Sequence, residues 1–557
     1  MRRFTKIYLF ASLCLCMNSL HAQVPVLADT LSSVSPDFYK VLQTERSKRL
    51  KSDSLYINTY RQQQIQFMQS SLTQLVADTL PQAAMLELGY TNQNRNFKLP
   101  VTACKTQNVV LYTEGFTTLG KAKIMGKFYF DKIWEDSLAN NLSGNLQNGE
   151  PYTHFATKAG NYERQNLNFE AGISYPVIKH LYITSLLNYD YHWSTGSIDP
   201  RPDSKLFHLE YTPGITLQIR NITFGATYSL GKRDGMYDIV YKNEMFRTSQ
   251  QYPERRLYIN DGYGYIAQYT SQAYSRSEDR IDAWGVSFAT KTGAWNVKAN
   301  YSSSFAARKN FNLRNAADTI PSGGDFDDVV NNYIKELVHS SYDLTIQKLA
   351  AIIYTDNDAS SHQISLNGII NEGTGVLMSS SNGASYLFDE HIAGIQYLFT
   401  LKKEKKASTE MGIDGGLQHF TKKDFLAAHF YENTVADVSV YAGKYFYRNN
   451  QLFKITIKPG FTKPLVNDLS VAATQVNTFT KNVVYPEYDY RGSTFFNGQL
   501  GFLYYTPSML GITGSAVSLN AGFLQKIKDS DMDRKLLQQP ASGKNQFNIS
   551  LGFQIFL

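Results

Sequence analysis

The residues best placed for acid–base work are two histidines. His208 lies beside Glu210 and Thr212, and His419 follows Glu410 and Asp414 in sequence. An acyl hydrolase of the Ser–His type needs nucleophile and base within hydrogen-bond reach. The chain contains no G-x-S-x-G elbow and no H-E-x-x-H pair, so each histidine reads first as a hydrogen-bonding residue on a polar face. Asp325, Asp327 and Asp328 form a carboxylate cluster open to an aspartyl-protease reading, but clustered carboxylates in a polar stretch read first as solvated. Asp529, Asp531 and Asp533 alternate like the start of a calcium loop. Arg534 stands where the sharp turn needs glycine, and no glutamate closes the loop. Lys402, Lys403, Lys405 and Lys406 are the densest charge run and read as a solvated turn. No catalytic constellation, metal site or cofactor is therefore expected.

The N-terminus explains why cysteine chemistry is also absent. Arg2, Arg3 and Lys6 precede an apolar segment from Ile7 to Met17, and Leu20-His21-Ala22 precedes a cut before Gln23. This is the pattern of a cleaved export signal, too short to span a bilayer. Cys14 and Cys16 leave with it, so the mature chain keeps only Cys104. An intramolecular disulfide and a cysteine-based zinc site are both excluded. Losing the three leader cations takes the net charge from +7 to +4, too weak and dispersed for a nucleic-acid partner.

What remains must position polar groups without a catalytic centre. Of 557 residues, 13% are aromatic and only 18% charged, against roughly a quarter charged in soluble domains. Residues 23–82 form an N-terminal segment without glycine between 24 and 80; Ile65, Met68, Leu72 and Leu75 recur at helical spacing and predict one amphipathic helix over 55–77. From 83 onward the period changes to two. Phe207, Leu209, Tyr211, Ile215, Leu217 and Ile219 alternate with polar neighbours, break at Arg220-Asn221, and resume as Ile222, Phe224, Ala226, Tyr228 and Leu230. Two alternating runs joined by so short a break predict a hairpin. The unit repeats to the end of the chain.

A soluble sandwich shows alternation too. The runs here are ~9–14 residues, matching tilted bilayer spans rather than globular strands of about 5–6. Connections also alternate. Short breaks such as Arg220-Asn221 and Arg448–Gln451 separate long polar stretches at 135–163, 193–204, 232–280, 306–340, 420–432, 461–493 and 526–543. The pattern predicts an all-β fold, a transmembrane antiparallel up-and-down β-barrel over 83–557. Its strand number is about eighteen, fourteen to eighteen being acceptable, with both chain ends on the short-turn side.

Inward positions then carry mixed charge. Lys121, Lys123, Lys127, Lys298, Lys454 and Lys458 share the lumen with Glu170, Asp190, Glu210, Glu410, Asp414 and Asp437. A single-sign ring would imply ion selectivity; this mixture either lines a passage or pairs across it. The helix at 55–77 is a plug or a handle for a periplasmic partner.

Ile549, Leu551, Phe553, Ile555 and Leu557 occupy alternate positions up to the last residue. This resembles the terminal strand of Gram-negative outer-membrane barrels, and the overall texture resembles barrels of Bacteroidota-type bacteria. One departure is that the last residue is leucine, with Phe556 penultimate. The resemblance implies residence in outer-membrane lipid and capture of the last strand by the barrel assembly machinery. Three function classes stay open. They are a solute pore or transporter (or an accessory component of an uptake system), a non-transporting interaction or assembly component with a periplasmic or surface partner, and an embedded hydrolase. Aromatic residues at 252–270 (Tyr252, Tyr258, Tyr263, Tyr265 and Tyr269) suit either a ligand or loop packing.

Overall fold

The computed structural model describes residues 53–78, 82–144, 149–313, 338–379, 383–509, 511–537 and 543–557. The leader and the Asp325–Asp328 cluster lie outside these. Eighteen strands pair antiparallel in chain order. The first, Ala83–Arg95, bonds both to Lys105–Leu119 and to the last, Asn545–Phe556. The sheet therefore closes on itself with no free edge, the condition for a β-structure to satisfy its backbone in hydrocarbon. Among the described residues no helix is long and apolar enough to cross a membrane.

Alternation sets the two faces. Along Arg201–Ile219 and Ile222–Val240 the exposed apolar side chains are Leu209, Tyr211, Ile215, Leu217 and Ile219, then Ile222, Phe224, Tyr228 and Leu230, with Val240 alone at the far end. The others crowd the half of each strand nearest the Arg220-Asn221 turn. In the other half the same outward face turns charged, with Lys232 paired to Asp234 (3.1 Å), Arg280 to Asp282 (3.4 Å) and Lys132 to Glu163 (3.0 Å). The strands run from 12 to 21 residues. At roughly 3.3 Å per residue and a tilt of about 40°, a 19-residue strand rises about 48 Å, nearly twice the ~25 Å apolar band of such barrels. The outer half stands clear of lipid.

That overshoot corrects the loop boundaries. The stretches 193–204 and 420–432 are mostly strand, reduced to connections at 197–200 and 425–428 between Leu181–Gly196 and Arg201–Ile219, and between Lys406–Asp424 and His429–Arg448. Outside the membrane both strand faces are wetted, so the apolar–polar contrast fades while pairing continues. The single helix expected at 55–77 is three: α1 (Asp53–Ile57), α2 (Thr59–Met68) and α3 (Leu72–Ala77). Asn58 and Ser71 interrupt it as cap residues, and Ser71 Oγ accepts from the Thr73 N–H. A fourth helix, α4 (Tyr485–Arg491), lies in the connection after Gln451–Val471.

Candidate functional site

The inward face is polar, and chain segments occupy it at both ends. At the short-turn end, α1–α3 touch inward-facing groups on opposite sides of the closed sheet, which places them in the lumen. Glu410, wholly buried, accepts from the Thr59 N–H (3.2 Å) at the start of α2 and from Tyr441 Oη (2.9 Å), and pairs with Lys454 (3.3 Å). A carboxylate there also complements the helix dipole. Arg61 pairs with Asp356, which Lys402 also engages, and Asp78 pairs with Lys298. Lys123 Nζ donates to the carbonyls of Leu75, Val76 and Asp78 at 2.8–2.9 Å, closing the α3 C-terminus with a cation. Gln74 Nε2 donates to the Phe288 and Ala299 carbonyls at 3.0 and 3.1 Å.

Apolar contacts complete this closure. Leu55, Tyr56, Ile57, Ile65, Met68, Leu72 and Leu75 share one core with wall residues including Met85, Phe116, Met125, Tyr445 and Phe556. Phe556 faces inward and stacks on Tyr56 at 5.8 Å between ring centroids. This accounts for the aromatic residue standing one place before the end. The five alternate residues of the last strand lie on the other face, with Ile549, Leu551 and Leu557 exposed. The wall is thinned where α3 approaches. A Cβ on Gly225 would sit 1.8 Å from Thr73 Oγ1, and one on Gly172 2.7 Å from Leu72 Cδ2.

The outer end is closed differently. Strands Tyr152–Phe155, Leu257–Asp261 and Ile266–Tyr269 form a small sheet. Its neighbours pack in one aromatic core, Phe155 and Tyr263 against Tyr342, Tyr386, Phe388, Phe420, Tyr431 and Phe479. Tyr258 stacks on Phe155 at 5.2 Å, so part of the 252–270 aromatic run packs the loops; Tyr252 and Tyr265 remain exposed. Buried charge fixes this core to the wall. Glu487 of α4 meets Lys422 Nζ at 2.9 Å, Arg491 Nε at 2.9 Å and Tyr263 Oη at 3.0 Å. Burial alone would raise its pKa, but Lys422 and Arg491 prevail and hold it at about 2. Glu150 pairs with Arg308, which also grips Asp279 through Nε (2.6 Å) and Nη2 (2.8 Å). His154, buried and near His339, is held neutral with its pKa lowered to about 3.

The sequence-predicted residues divide accordingly. Lys123, Lys127 and Lys454 reach α1–α3 or their connecting turn, Lys127 donating to the Gln69 carbonyl (3.3 Å) while pairing with Glu170 (2.9 Å). Glu210 and Asp190 flank His208 at 3.6 and 2.8 Å. Asp414 pairs with Lys458 and accepts from Ser439 (3.0 Å). Lys121 is a correction: with Gly120 it forms the turn between Leu119 and Ala122 and is exposed, outside the alternation. Lys402 is another, since it faces inward to Asp356 and leaves Lys405 to the solvated pair with Asp358 (2.9 Å). His419 is a third. It stands an odd number of positions from both Glu410 and Asp414, so it faces outward. Asp529, Asp531 and Asp533 disperse to Lys526, Tyr488 and the Lys535 N–H. Among the described residues no three His, Cys, Asp or Glu converge on a metal-sized point. The residues missed by sequence reading include Arg61, Asp78, Glu150, Asp356, Lys422 and Glu487, charged residues whose partners are distant in sequence and leave no local pattern.

The closed register, apolar outer belt and polar lumen define a membrane β-barrel of the outer-membrane type. The chain belongs to a family of unknown function, DUF6850, whose pattern matches residues 72–557. No curated protein matches it. Similar solved structures include the copper transporter OprC (6% identity, 85% of this chain and 81% of that one, TM-score 0.39). The ferric citrate transporter FecA in its unliganded form is also similar (10%, 86% and 79%, 0.37), as is OccK5 of Pseudomonas aeruginosa (10%, 86% and 98%, 0.33). The barrel rests on its own register rather than on these distant likenesses.

Proposed function

We propose that the protein is an outer-membrane barrel providing a gated passage for a polar solute, exported by its leader and stoppered in this conformation at its short-turn end. Residues 54–78 serve as the removable stopper. The observation that carries this reading is the way α1–α3 are held. They belong to no strand of the barrel, and ion pairs and hydrogen bonds from Glu410, Asp356, Lys298 and Lys123 fasten them across a polar lumen. A wall meant only to be filled would need no such detachable segment, and barrels of ~16–18 strands leave an aqueous channel unless plugged. Mixed lumen charge supports a neutral or zwitterionic polar solute more than a simple ion. Assembly through the alternating last strand and a Bacteroidota-type setting accord with the chain's texture. The test is conductance across a planar bilayer: the full chain is expected to be nearly silent, and deletion of residues 24–78 to raise conductance sharply.

A second reading is favoured by the outer core of Tyr263, Tyr386 and Tyr431, which blocks the mouth independently of the stopper. On that reading the protein transports nothing and docks partners through its loops and N-terminal segment. Silence after deletion, with the barrel shown to be assembled, selects it.

A further inference from the structure

The exterior carries a pair of histidines that the lumen does not use. His391 and His419 stand directly opposite one another on the adjacent strands Tyr386–Lys403 and Lys406–Asp424. Their ring centroids are 6.1 Å apart. Both face outward just above the apolar belt, whose top on these strands is Ile395 and Leu417. They therefore lie at the level where lipid gives way to water.

One ring has a nitrogen held by a hydroxyl, and the other stands beside a carboxylate. His391 Nε2 lies 2.8 Å from Asp389 Oδ1, and His419 Nδ1 lies 2.9 Å from Thr434 Oγ1. An N–H donated from His419 Nδ1 to Thr434 Oγ1 leaves a lone pair on its Nε2, while His391 stands beside Asp389 without a hydrogen bond and keeps its ring nitrogens open to coordination. A carboxylate or hydroxyl that fixes the tautomer of an imidazole is the outer-shell arrangement typical of metal-binding histidines. Two imidazoles sharing one ion at metal–nitrogen distances of about 2.0–2.1 Å place their centroids roughly 5–6 Å apart, close to the separation seen. Residues directly opposite on antiparallel strands are held by the ladder itself, so little ordering is needed on binding.

We propose that His391 and His419 form a two-histidine site for a borderline divalent transition cation, copper(II) or zinc, on the outer wall of the barrel. Imidazole pairs suit these ions, copper(II) binding most tightly in the general affinity order. Since no third His, Cys, Asp or Glu converges with the pair among the described residues, water fills the rest of the shell. Bound metal would staple two strands at the lipid–water boundary. This holds whether or not the lumen conducts.

The test uses the untagged, detergent-solubilised full chain titrated with Cu²⁺. Electron paramagnetic resonance should report one tightly held ion per chain with two imidazole nitrogens. His391→Gln or His419→Gln should each weaken binding at least tenfold and leave one nitrogen. The double variant should remove the signal while keeping the electrophoretic mobility of the folded barrel. Thr434→Val, which removes the hydroxyl bonded to His419 Nδ1, should weaken binding by about 10–100-fold without changing the nitrogen count. A nitrogen count other than two in the unaltered chain, or a tight ion surviving in the double variant, overturns the assignment. The first readout needs no variant to fold.

Discussion

The two closures of the barrel are built on opposite principles. At the short-turn end the blocking segment is foreign to the sheet. It enters ahead of the first strand, joined to the sheet through one end, and is held by ion pairs and hydrogen bonds to the wall: Arg61 to Asp356, Asp78 to Lys298, and Lys123 to three carbonyls. At the outer end the blocking segments are the barrel's own connections, locked by an aromatic core and by charges with almost no access to water, such as Glu487 and Arg308. Buried ion pairs are costly to break because the partner left behind is an uncompensated charge. The two differ in attachment: the inner segment, joined to the sheet through one end, can leave as a unit, whereas the outer loops are tied to strands at both ends and can only shift in place.

The largest expected effects test the outer closure and the wall. Lys422→Ala strips Glu487 of a partner in a buried site and should cost about 3–5 kcal/mol. The damage should be confined to the outer loops, read as new protease cuts in 472–493 while the barrel keeps its folded mobility. Phe224→Arg places a cation on the lipid face and should cost about 2–4 kcal/mol. Thr227→Arg, on the same strand but inward, should cost much less. Urea titration of folding into bilayers compares the two, and equal costs would reverse the assignment of faces.

Acid provides a third contrast. Glu487 is held at about 2, below the ordinary 4.5, so its stabilising contribution is complete above pH 4.5 and lost as pH falls towards 2. His154 resists protonation down to about 3 against an ordinary 6.5, so the released loops take up its proton first and the closure weakens as pH falls from 6.5 to 3. Both act in the same direction. Outer-loop proteolysis should be slow at pH 7 and rise below pH 5; protection growing in acid would contradict these environments. A smaller effect is expected from Lys405→Ala. Its partner Asp358 is exposed and such surface pairs contribute little, so neither stability nor conductance should change measurably.

Much of this architecture was legible where one face met lipid. Ile215, Leu217 and Ile219, the Arg220-Asn221 break, and Ile222 and Phe224 announce a hairpin because hydrocarbon demands apolar side chains at every second place. Beyond the belt that demand ends. Lys232, Asp234, Arg280 and Asp282 face outward on continuous strands, and their polarity imitates a loop. Lys127, Glu170, Asp414 and Lys454 could be assigned inward by parity, whereas Lys121 could not, because a turn residue has no parity. The pairing of Asp78 with Lys298, or of Phe556 with Tyr56, joins distant positions and leaves no local trace. His419 shows the same limit: nearness in sequence to Glu410 and Asp414 said nothing about face, and one odd interval sends it outside.

The most direct test of the stopper is to lock it. Thr73 Oγ1 of α3 lies 2.8 Å from Thr216 Oγ1 of the wall. The pair Thr73→Cys and Thr216→Cys, in a chain with Cys104→Ser and with Arg61→Ala and Lys298→Ala to loosen the ties, forms a reducible latch. Conductance across a planar bilayer should be low when the latch is oxidised and rise severalfold within the same membrane on adding reductant. Equal conductance in the two states, with the disulfide verified, would contradict a passage controlled by residues 54–78.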